Sequence, residues 1–259
     1  QSCTPADWLG GGGISLEGDD HAIEGNTFAG LRQEVFKITT QPDAIRVTGT
    51  GHLIQDNKIG QDGADTRIGV CGRGIFLSDG PKEVQVLDNR IVDPGLSAIS
   101  LNGVLYDENT LTGNVIINKA AWPQVEGNPA AEDAIQVGAS MPEAFNAFYP
   151  PQVTNIDGTA VSGTAGAGSP CANCTIEIFL DDGDSVVETL QSLAVVTAGA
   201  NGTWSANLPS ELATGQGLRT LSTTAQFGQI PGMSAGTTSQ LSTLYGAGYM
   251  VYLPYISSE

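Results

Sequence analysis

The sequence predicts an all-β protein in which a stack of short coils is followed by a second β domain. Composition is the first reason: glycine contributes 34 of 259 residues, about twice the usual share of ~7%, and charged residues only 15%. A pair of short apolar phrases that recurs through the first 140 residues is the second. A chain rich in turn formers and poor in charges is typical of a β protein, so helical folds are excluded first.

The first recurring phrase is a small residue followed by isoleucine, a variable residue and an apolar residue. It stands at 13–16, 44–47, 74–77, 98–101 and 134–137. A second phrase, centred on asparagine, follows the first four copies. The asparagines are 31, 32 and 25 residues apart: Asn26, Asn57, Asn89 and Asn114. The residues three before and two after each asparagine are apolar, which predicts short strands with inward-facing apolar side chains.

Two such strands per period, joined by a turn, form one coil of a solenoid. Stacked coils pair strand on strand at about 4.8 Å and bury a continuous ladder of aliphatic side chains. We expect each repeated asparagine to lie at the bend of its coil, to adopt the left-handed backbone there, and to hydrogen-bond the coils above and below. Its predicted role is structural, and ligand binding is the less favoured alternative.

Residues 13–137 resemble the right-handed parallel β-helix proteins of bacterial surfaces, whose coils carry an asparagine repeat. The phrase Asp-Asn-Lys-Ile-Gly-Gln-Asp-Gly at 56–63 is especially similar to their coils. The resemblance implies a right-handed parallel β-helix of about five coils over residues 1–149. It implies little about activity, because this architecture serves lyases, hydrolases, adhesins and structural proteins alike.

Residues 150–245 form the predicted second domain. Seven strand-like runs separated by turn residues lie at 152–156, 159–164, 175–180, 188–197, 203–208, 218–227 and 237–242. About seven strands in about 100 residues predict a β-sandwich. The phrases at 161–165, 175–179 and 202–204 are similar to immunoglobulin-like modules that follow β-helices in exported bacterial proteins. Trp204 is expected in the core, since its neighbours alternate as in a buried strand.

Residues 246–259 form a C-terminal tail that contains the most apolar segment of the chain. Its candidate assembly residues are Tyr249, Val251, Tyr252, Leu253, Tyr255 and Ile256. The segment resembles the short Tyr-Leu-Pro endings of some exported bacterial proteins. Two interpretations stay open: a closing strand of the sandwich, or a strand that leaves its own domain and pairs elsewhere.

Four cysteines, an even number, favour an oxidising compartment. Cys171 and Cys174 are expected to form a local disulfide, because they lie between a loop and a strand rather than at the start of a helix. Cys3 and Cys71 remain as partners for each other. We therefore expect a secreted protein of a bacterial cell surface. The first five residues lack the features of an export signal, so we expect a signal to have been removed or the chain to derive from a longer precursor.

The formal net charge of −18 argues against nucleic-acid and membrane-surface binding. Membrane insertion is not expected either, since no window approaches 18 uninterrupted apolar residues. No cofactor is expected. Two acidic turns, at 62–65 and 181–184, have the oxygen donors that Ca²⁺ prefers but fit no recognised loop spacing. Ordinary turns are the favoured interpretation of both.

The segment Asp19-Asp20-His21 and the pair Gly51-His52 superficially resemble polygalacturonase signatures. Both histidines lie five residues before a coil asparagine, however, and so share one repeat position with Val84 and Asn109. A lyase would need clustered basic residues, and these are expected at different coil positions: Lys58, Arg67 and Arg90. Enzymatic activity is therefore not expected.

The favoured function is that of an extracellular structural protein that assembles with copies of itself into a filament. The first coil begins almost at the amino terminus, and an uncapped coil presents unpaired backbone groups that accept another strand. The tail could supply that strand to the next subunit. An adhesin or glycan-binding surface protein is the alternative, and a polysaccharide lyase or hydrolase is less favoured.

Overall fold

The computed structural model describes residues 12–31, 43–102, 108–118, 134–137, 148–165, 171–184, 186–229 and 233–246. This part of the chain contains twenty strands and no helix, and no helix within it is therefore long and apolar enough to cross a membrane. The strands form three parallel sheets followed by two antiparallel sheets. The predicted all-β class, with a parallel β-helix before a sandwich, is confirmed.

The first parallel sheet has five strands, one from each coil. In sheet order they are β1 (Ile14–Glu17), β4 (Ile45–Thr50), β7 (Ile75–Lys82), β10 (Ile99–Leu101) and β13 (Ile135–Val137). Their register places the first isoleucine of each strand directly beside that of the next, from Ile14 to Ile135. The first recurring phrase of the sequence is therefore this sheet.

The second and third parallel sheets have four strands each. The second consists of β2 (Ala22–Glu24), β5 (Leu53–Gln55), β8 (Gln85–Leu87) and β11 (Thr110–Thr112). The third consists of β3 (Thr27–Phe28), β6 (Lys58–Ile59), β9 (Arg90–Val92) and β12 (Val115–Ile117). Ile54 and Ile59, from the second coil, are fully buried and align with apolar residues of the coils on either side.

The repeated asparagines form a hydrogen-bonded ladder between the second and third sheets. The backbone N–H and side-chain Nδ2 of Asn57 both donate to Oδ1 of Asn89, over 3.0 and 2.9 Å. Asn89 donates in the same way to Asn114, and Asn26 to Asn57. The amides of Asn57, Asn89 and Asn114 also donate back to a carbonyl of the preceding coil, as Asn89 Nδ2 does to Ile54 O over 2.9 Å.

One detail of the expected bend is wrong. The left-handed residue is the one before each asparagine, with φ between 54° and 69°: Gly25, Asp56, Asp88 and Gly113. The asparagines themselves are absent from the positive-φ residues, because their side chains are directed along the stack to meet the neighbouring coil. Glycine and aspartate tolerate the left-handed turn and leave the asparagine free to bond.

The second domain consists of two antiparallel sheets. One contains β14 (Gln152–Asp157), β15 (Ala160–Thr164) and β18 (Thr203–Asn207) in that order. The other contains, in sheet order, β17 (Gln191–Thr197), β16 (Thr175–Asp181), β19 (Gly217–Thr223) and β20 (Tyr245–Gly246). Trp204 is 4% exposed, as expected for the core, and a side chain at Gly163 would overlap its ring.

The last predicted strand, at 237–242, does not form as a regular strand. It runs beside β19, where the backbone N–H groups of Ser239 and Ser242 donate to the carbonyls of Ser222 and Thr220. These two donors are three residues apart instead of the two of a regular strand. The serine hydroxyls accept the N–H groups of Ser222 and Thr220 in place of backbone carbonyls. The substitution of side-chain for main-chain acceptors interrupts the ladder until β20.

Replacing Asn89 with alanine should destabilise the protein by about 2–4 kcal/mol, because the buried N–H of Asn57 and the buried carbonyl of Ile54 would lose their partners. Asn26→Ala is the matched control, since Asn26 is exposed and should cost less than about 1 kcal/mol. Urea unfolding of both variants measures the difference. Equal losses would contradict a ladder that stabilises the interior.

Candidate functional site

The two ends of the coil stack differ, and the difference defines the candidate site. The outer edges of β11 and β12 at the late end contact residues of the second domain. The outer edges of β1, β2 and β3 at the early end pair with no strand of the described residues. We call these the covered end and the open end.

Side-chain oxygens of the second domain satisfy the backbone donors of the covered end. The N–H of Leu111 donates to Thr238 Oγ1 over 3.0 Å, and the N–H of Ile116 to Thr189 Oγ1 over 2.9 Å. The N–H of Gly113 lies 3.1 Å from both carboxylate oxygens of Glu177. In the preceding coil the equivalent N–H, that of Asp88, donates to a carbonyl of the next coil. Hydroxyl and carboxylate groups, together with the backbone bonds between Ile116 and Thr189, thus take the place of a further coil.

Two glutamates of this junction are buried and carry shifted pKa values. Burial raises the pKa of Glu177 to about 7, opposed by the Gly113 N–H and supported by the charge of Asp88. Burial also raises the pKa of Glu188 to about 7, opposed by the N–H of Asn118, which donates to Glu188 Oε1 over 2.7 Å. Both carboxyl groups are therefore more easily protonated in the folded protein than in the unfolded chain.

Glu188 also belongs to an acidic cluster beside the junction. Its carboxylate and those of Asp182 and Asp184 lie within 4.8 Å of one another. The first aspartate of this turn, Asp181, is instead fully buried against Arg219 at 2.5 Å. The oxygens of Asp182 and Asp184 accept backbone N–H groups of their own turn. This agrees with the turn interpretation, although Glu188 was not expected to join the group.

Apolar side chains at the open end are only partly covered. Ile14, Leu16 and Phe28 are half-buried. In the second coil, Ile45 aligns with Ile14 and Ile59 aligns with Phe28, and both are fully buried. The core is therefore incomplete at this end within the described residues.

Unpaired backbone groups follow the same edge. Ile14 N–H donates to Ala44 O over 2.9 Å and Gly18 N–H to Thr48 O over 3.1 Å, both toward the second coil. Because residues of a strand alternate, the N–H and C=O groups of Ser15 and Glu17 are directed away from the stack. Asn26 is exposed, and its Oδ1 accepts no hydrogen bond from the described residues.

Four exposed acidic residues surround the open end: Glu17, Asp19, Asp20 and Glu24. Asp19 Oδ1 accepts both the N–H and the hydroxyl of Thr50, over 2.9 and 3.0 Å, and the backbone bond is the main reason that its pKa lies below the usual value. Asp19 therefore stabilises the turn of the second coil, which is a structural role.

The two histidines occupy one stacked position, as predicted. The His21 and His52 rings are stacked with centroids 5.4 Å apart and planes 8° apart. His52 is 1% exposed. The pair therefore lies within the stack between the first two coils, and the Asp19–His21 segment is part of a turn.

The expectation for the basic residues is partly wrong. Lys58 and Arg90 occupy the same coil position and pair in register on the third sheet, because each directly follows a coil asparagine. Each is committed to a neighbour: Lys58 to Asp65 over 2.7 Å, and Arg90 to the Gln61 side chain over 2.9 Å.

The other predicted site residues fall as follows. Arg67 forms an ion pair with Asp93. Asp62 accepts the N–H groups of Ala64 and Thr66, which makes 62–65 a turn. These bonds, mainly the one from Thr66, lower the pKa of Asp62.

The Cys171–Cys174 disulfide is present. Cys71 is buried, but its predicted partner Cys3 lies outside the described residues, as do the six assembly residues of the tail.

The capping side chains were not predicted. Glu177 stands in the run Thr-Ile-Glu-Ile-Phe, where a single acid interrupts apolar residues. That interruption was the available signal of a buried acceptor.

No protein-family model matches the chain, and no curated protein matches it.

Replacing Glu177 with glutamine should raise stability at pH 8 relative to wild type. Because the pKa of Glu177 is raised on folding, ionisation of its carboxyl group lowers the free energy of unfolding as pH rises from 4.5 toward 7. The loss reaches about 3 kcal/mol and does not grow at higher pH. Glutamine keeps an acceptor for Gly113 and cannot ionise. Urea unfolding at pH 4.5 and pH 8 measures the effect, with the exposed Glu24→Gln as control. A variant that loses as much stability as wild type between these pH values would refute the assignment.

Proposed function

We propose that the protein is an extracellular structural subunit that polymerises head to tail. It belongs to a type found on bacterial surfaces, in which a β-helix is followed by an immunoglobulin-like module. The C-terminal tail of one copy adds as a strand to the open end of the next. The observation that carries the proposal is the open end itself, where a parallel edge that pairs with no strand of the described residues coincides with half-buried apolar side chains.

The open end sets the chemistry of its partner. An added strand must supply backbone N–H and C=O groups opposite Ser15 and Glu17, and an apolar side chain beside Ile14 and Leu16. Extended chain satisfies the first need whatever its sequence. The second need selects a segment with apolar residues at alternate positions.

The tail meets both needs. Tyr249, Val251 and Leu253 are two residues apart in the sequence, the spacing that puts side chains on one face of an added strand, and Pro254 has no N–H to extend the pairing. The four residues of β1 span about 13 Å, and five residues of the tail, which span about 17 Å when extended, are enough to cover them. The tail is a better partner than a second open end, because the stretch from 247 to 258 carries no charge, whereas two open ends would bring acidic residues together.

Covering only one end of the stack makes the contact directional. A head-to-tail contact between different surfaces closes into a ring or continues as a filament. At the covered end, β11 and β12 bond to the second domain of the same chain, so the new strand adds at the open end. The even number of cysteines and the Cys171–Cys174 disulfide support an oxidising, extracellular setting.

Deleting residues 247–259 should abolish polymers and leave the monomer folded, because the deletion removes the donated strand and keeps β20. Electron microscopy and sedimentation velocity of the purified chain measure assembly, and urea unfolding checks the fold. Unchanged polymers would reject strand donation by the tail, and a wild-type chain that stays monomeric at all concentrations would reject polymerisation.

Replacing Ser15 with proline should block assembly from the accepting side. The Ser15 N–H is directed to the open edge, so proline removes an outward donor and keeps the bonds between β1 and β4. Ser15→Ala is the matched control, since it retains the N–H and should polymerise as wild type does. Equal assembly of the two variants would show that the β1 edge is not the acceptor.

A further inference from the structure

Of the stacked histidines, His21 lies at the turn that joins β1 to β2, beside the open edge, and His52 lies at the equivalent turn of the second coil, between β4 and β5. The N–H of His21 donates to Nδ1 of His52 over 3.3 Å. Two coils further along, the equivalent N–H of Val84 donates to Oδ1 of Asn109 over 3.0 Å. The residue at this repeat position therefore accepts a backbone N–H from the preceding coil, and His52 does so with a titratable ring.

Acceptance at Nδ1 requires the neutral ring with its proton on Nε2. That Nε2 is buried and forms no hydrogen bond of ordinary geometry with a described residue, although the Thr48 carbonyl acts on the ring. Burial lowers the pKa of His52; the Thr48 carbonyl raises it, the charge of His21 lowers it, and Asp19 and Asp20 raise it. The folded protein thus favours the uncharged ring at the site where a charge would cost most.

The charged groups around His52 offer little compensation. In the first coil, Asp19 is committed to Thr50, Asp20 is exposed, and His21 Nε2 lies 3.1 Å from the Glu17 carbonyl. From the third coil, Lys82 and Glu83 directly precede Val84, and Lys82 forms ion pairs with Glu83 at 3.8 Å and with Glu108 of the fourth coil at 3.0 Å. Within the described ranges, no carboxylate hydrogen-bonds the His52 ring.

We propose that His52 makes the open end a pH-sensitive docking edge, which assembles at neutral pH and is released in mild acid. Protonation turns Nδ1 from an acceptor into a donor that opposes the His21 N–H, and it places a charge on a ring stacked against another histidine. The turn between β1 and β2 then loses its bond from His21 to His52, while the bonds that join Asp19 and Asp20 to Thr50 remain. This inference rests on the proposed strand addition, because those two strands form the accepting edge.

The pH window follows from the direction of the shift. A histidine whose pKa is lowered on folding contributes stability that is complete above its unfolded value near 6.5 and is lost as pH falls below it. Exposed carboxylates stay mostly ionised down to about pH 5, and the buried Glu177 and Glu188, which also titrate in this window, lie at the covered end. Beside the open end, histidine is the residue type whose ordinary pKa falls in this window.

The test uses His52→Asn, which copies the residue at the equivalent position in the fourth coil, and His21→Gln as a matched control that keeps the backbone donor. Sedimentation and electron microscopy measure assembly of the full chain at pH 7.5 and pH 5. We expect wild type and His21→Gln to lose polymers at pH 5, and His52→Asn to assemble equally at both values. His52→Gln, which also offers an amide oxygen, serves if the asparagine variant does not fold.

Nuclear magnetic resonance of the dilute, monomeric full chain separates this inference from the proposed function. The His21 amide resonance should shift with the titration of the His52 ring in wild type, and this coupling should be lost in His52→Asn. A pH-independent His21 amide, or equal wild-type assembly at pH 5 and 7.5, would overturn the switch. Coupled titration in a chain that forms no polymer at any pH would support the switch and reject filament assembly alone.

Discussion

The backbone of every coil must be satisfied by its neighbours, and this requirement governs the whole structure. A parallel strand cannot fold back on itself to pair, so its N–H and C=O groups depend on the coil before and the coil after. The asparagine ladder extends the same dependence to side chains, since the amides of Asn57 and Asn89 each donate forward to the asparagine of the next coil and back to a carbonyl of the previous one. The stack is therefore regular in its middle and chemically exceptional only at its ends.

The two exceptions are resolved in different ways. At the covered end, threonine hydroxyls and glutamate carboxylates receive the N–H groups that a further coil would have taken. Because these acceptors are side chains on a sandwich, the second domain acts as a cap without resembling a coil. At the open end the described residues provide no such acceptors, and the acidic border around Glu17 and Glu24 discourages association with other acidic surfaces.

The coil stack was predictable from sequence because its signal is a repeat. The alignment of Ile14, Ile45 and Ile75 follows from a phrase that recurs at nearly constant spacing, and the buried ladder follows from that alignment. The cap was not predictable, since Glu177 and Thr189 act on residues more than 60 positions away and belong to no repeat. Nor could spacing alone identify the left-handed residue, because either of two adjacent residues could have made the turn and only the hydrogen-bond direction decides between them.

The forward direction of the asparagine ladder has a consequence for how such a protein can change in length. Any internal coil both receives from and gives to its neighbours through the same atoms, so a duplicated block of about 31 residues inserted between Asn57 and Asn89 would meet compatible partners on both sides. The molecule would grow by one layer of about 4.8 Å, and the two ends of the coil stack would stay chemically unchanged. Gene duplication within the stack thus gives evolution a length adjustment that is independent of the surfaces at which copies meet.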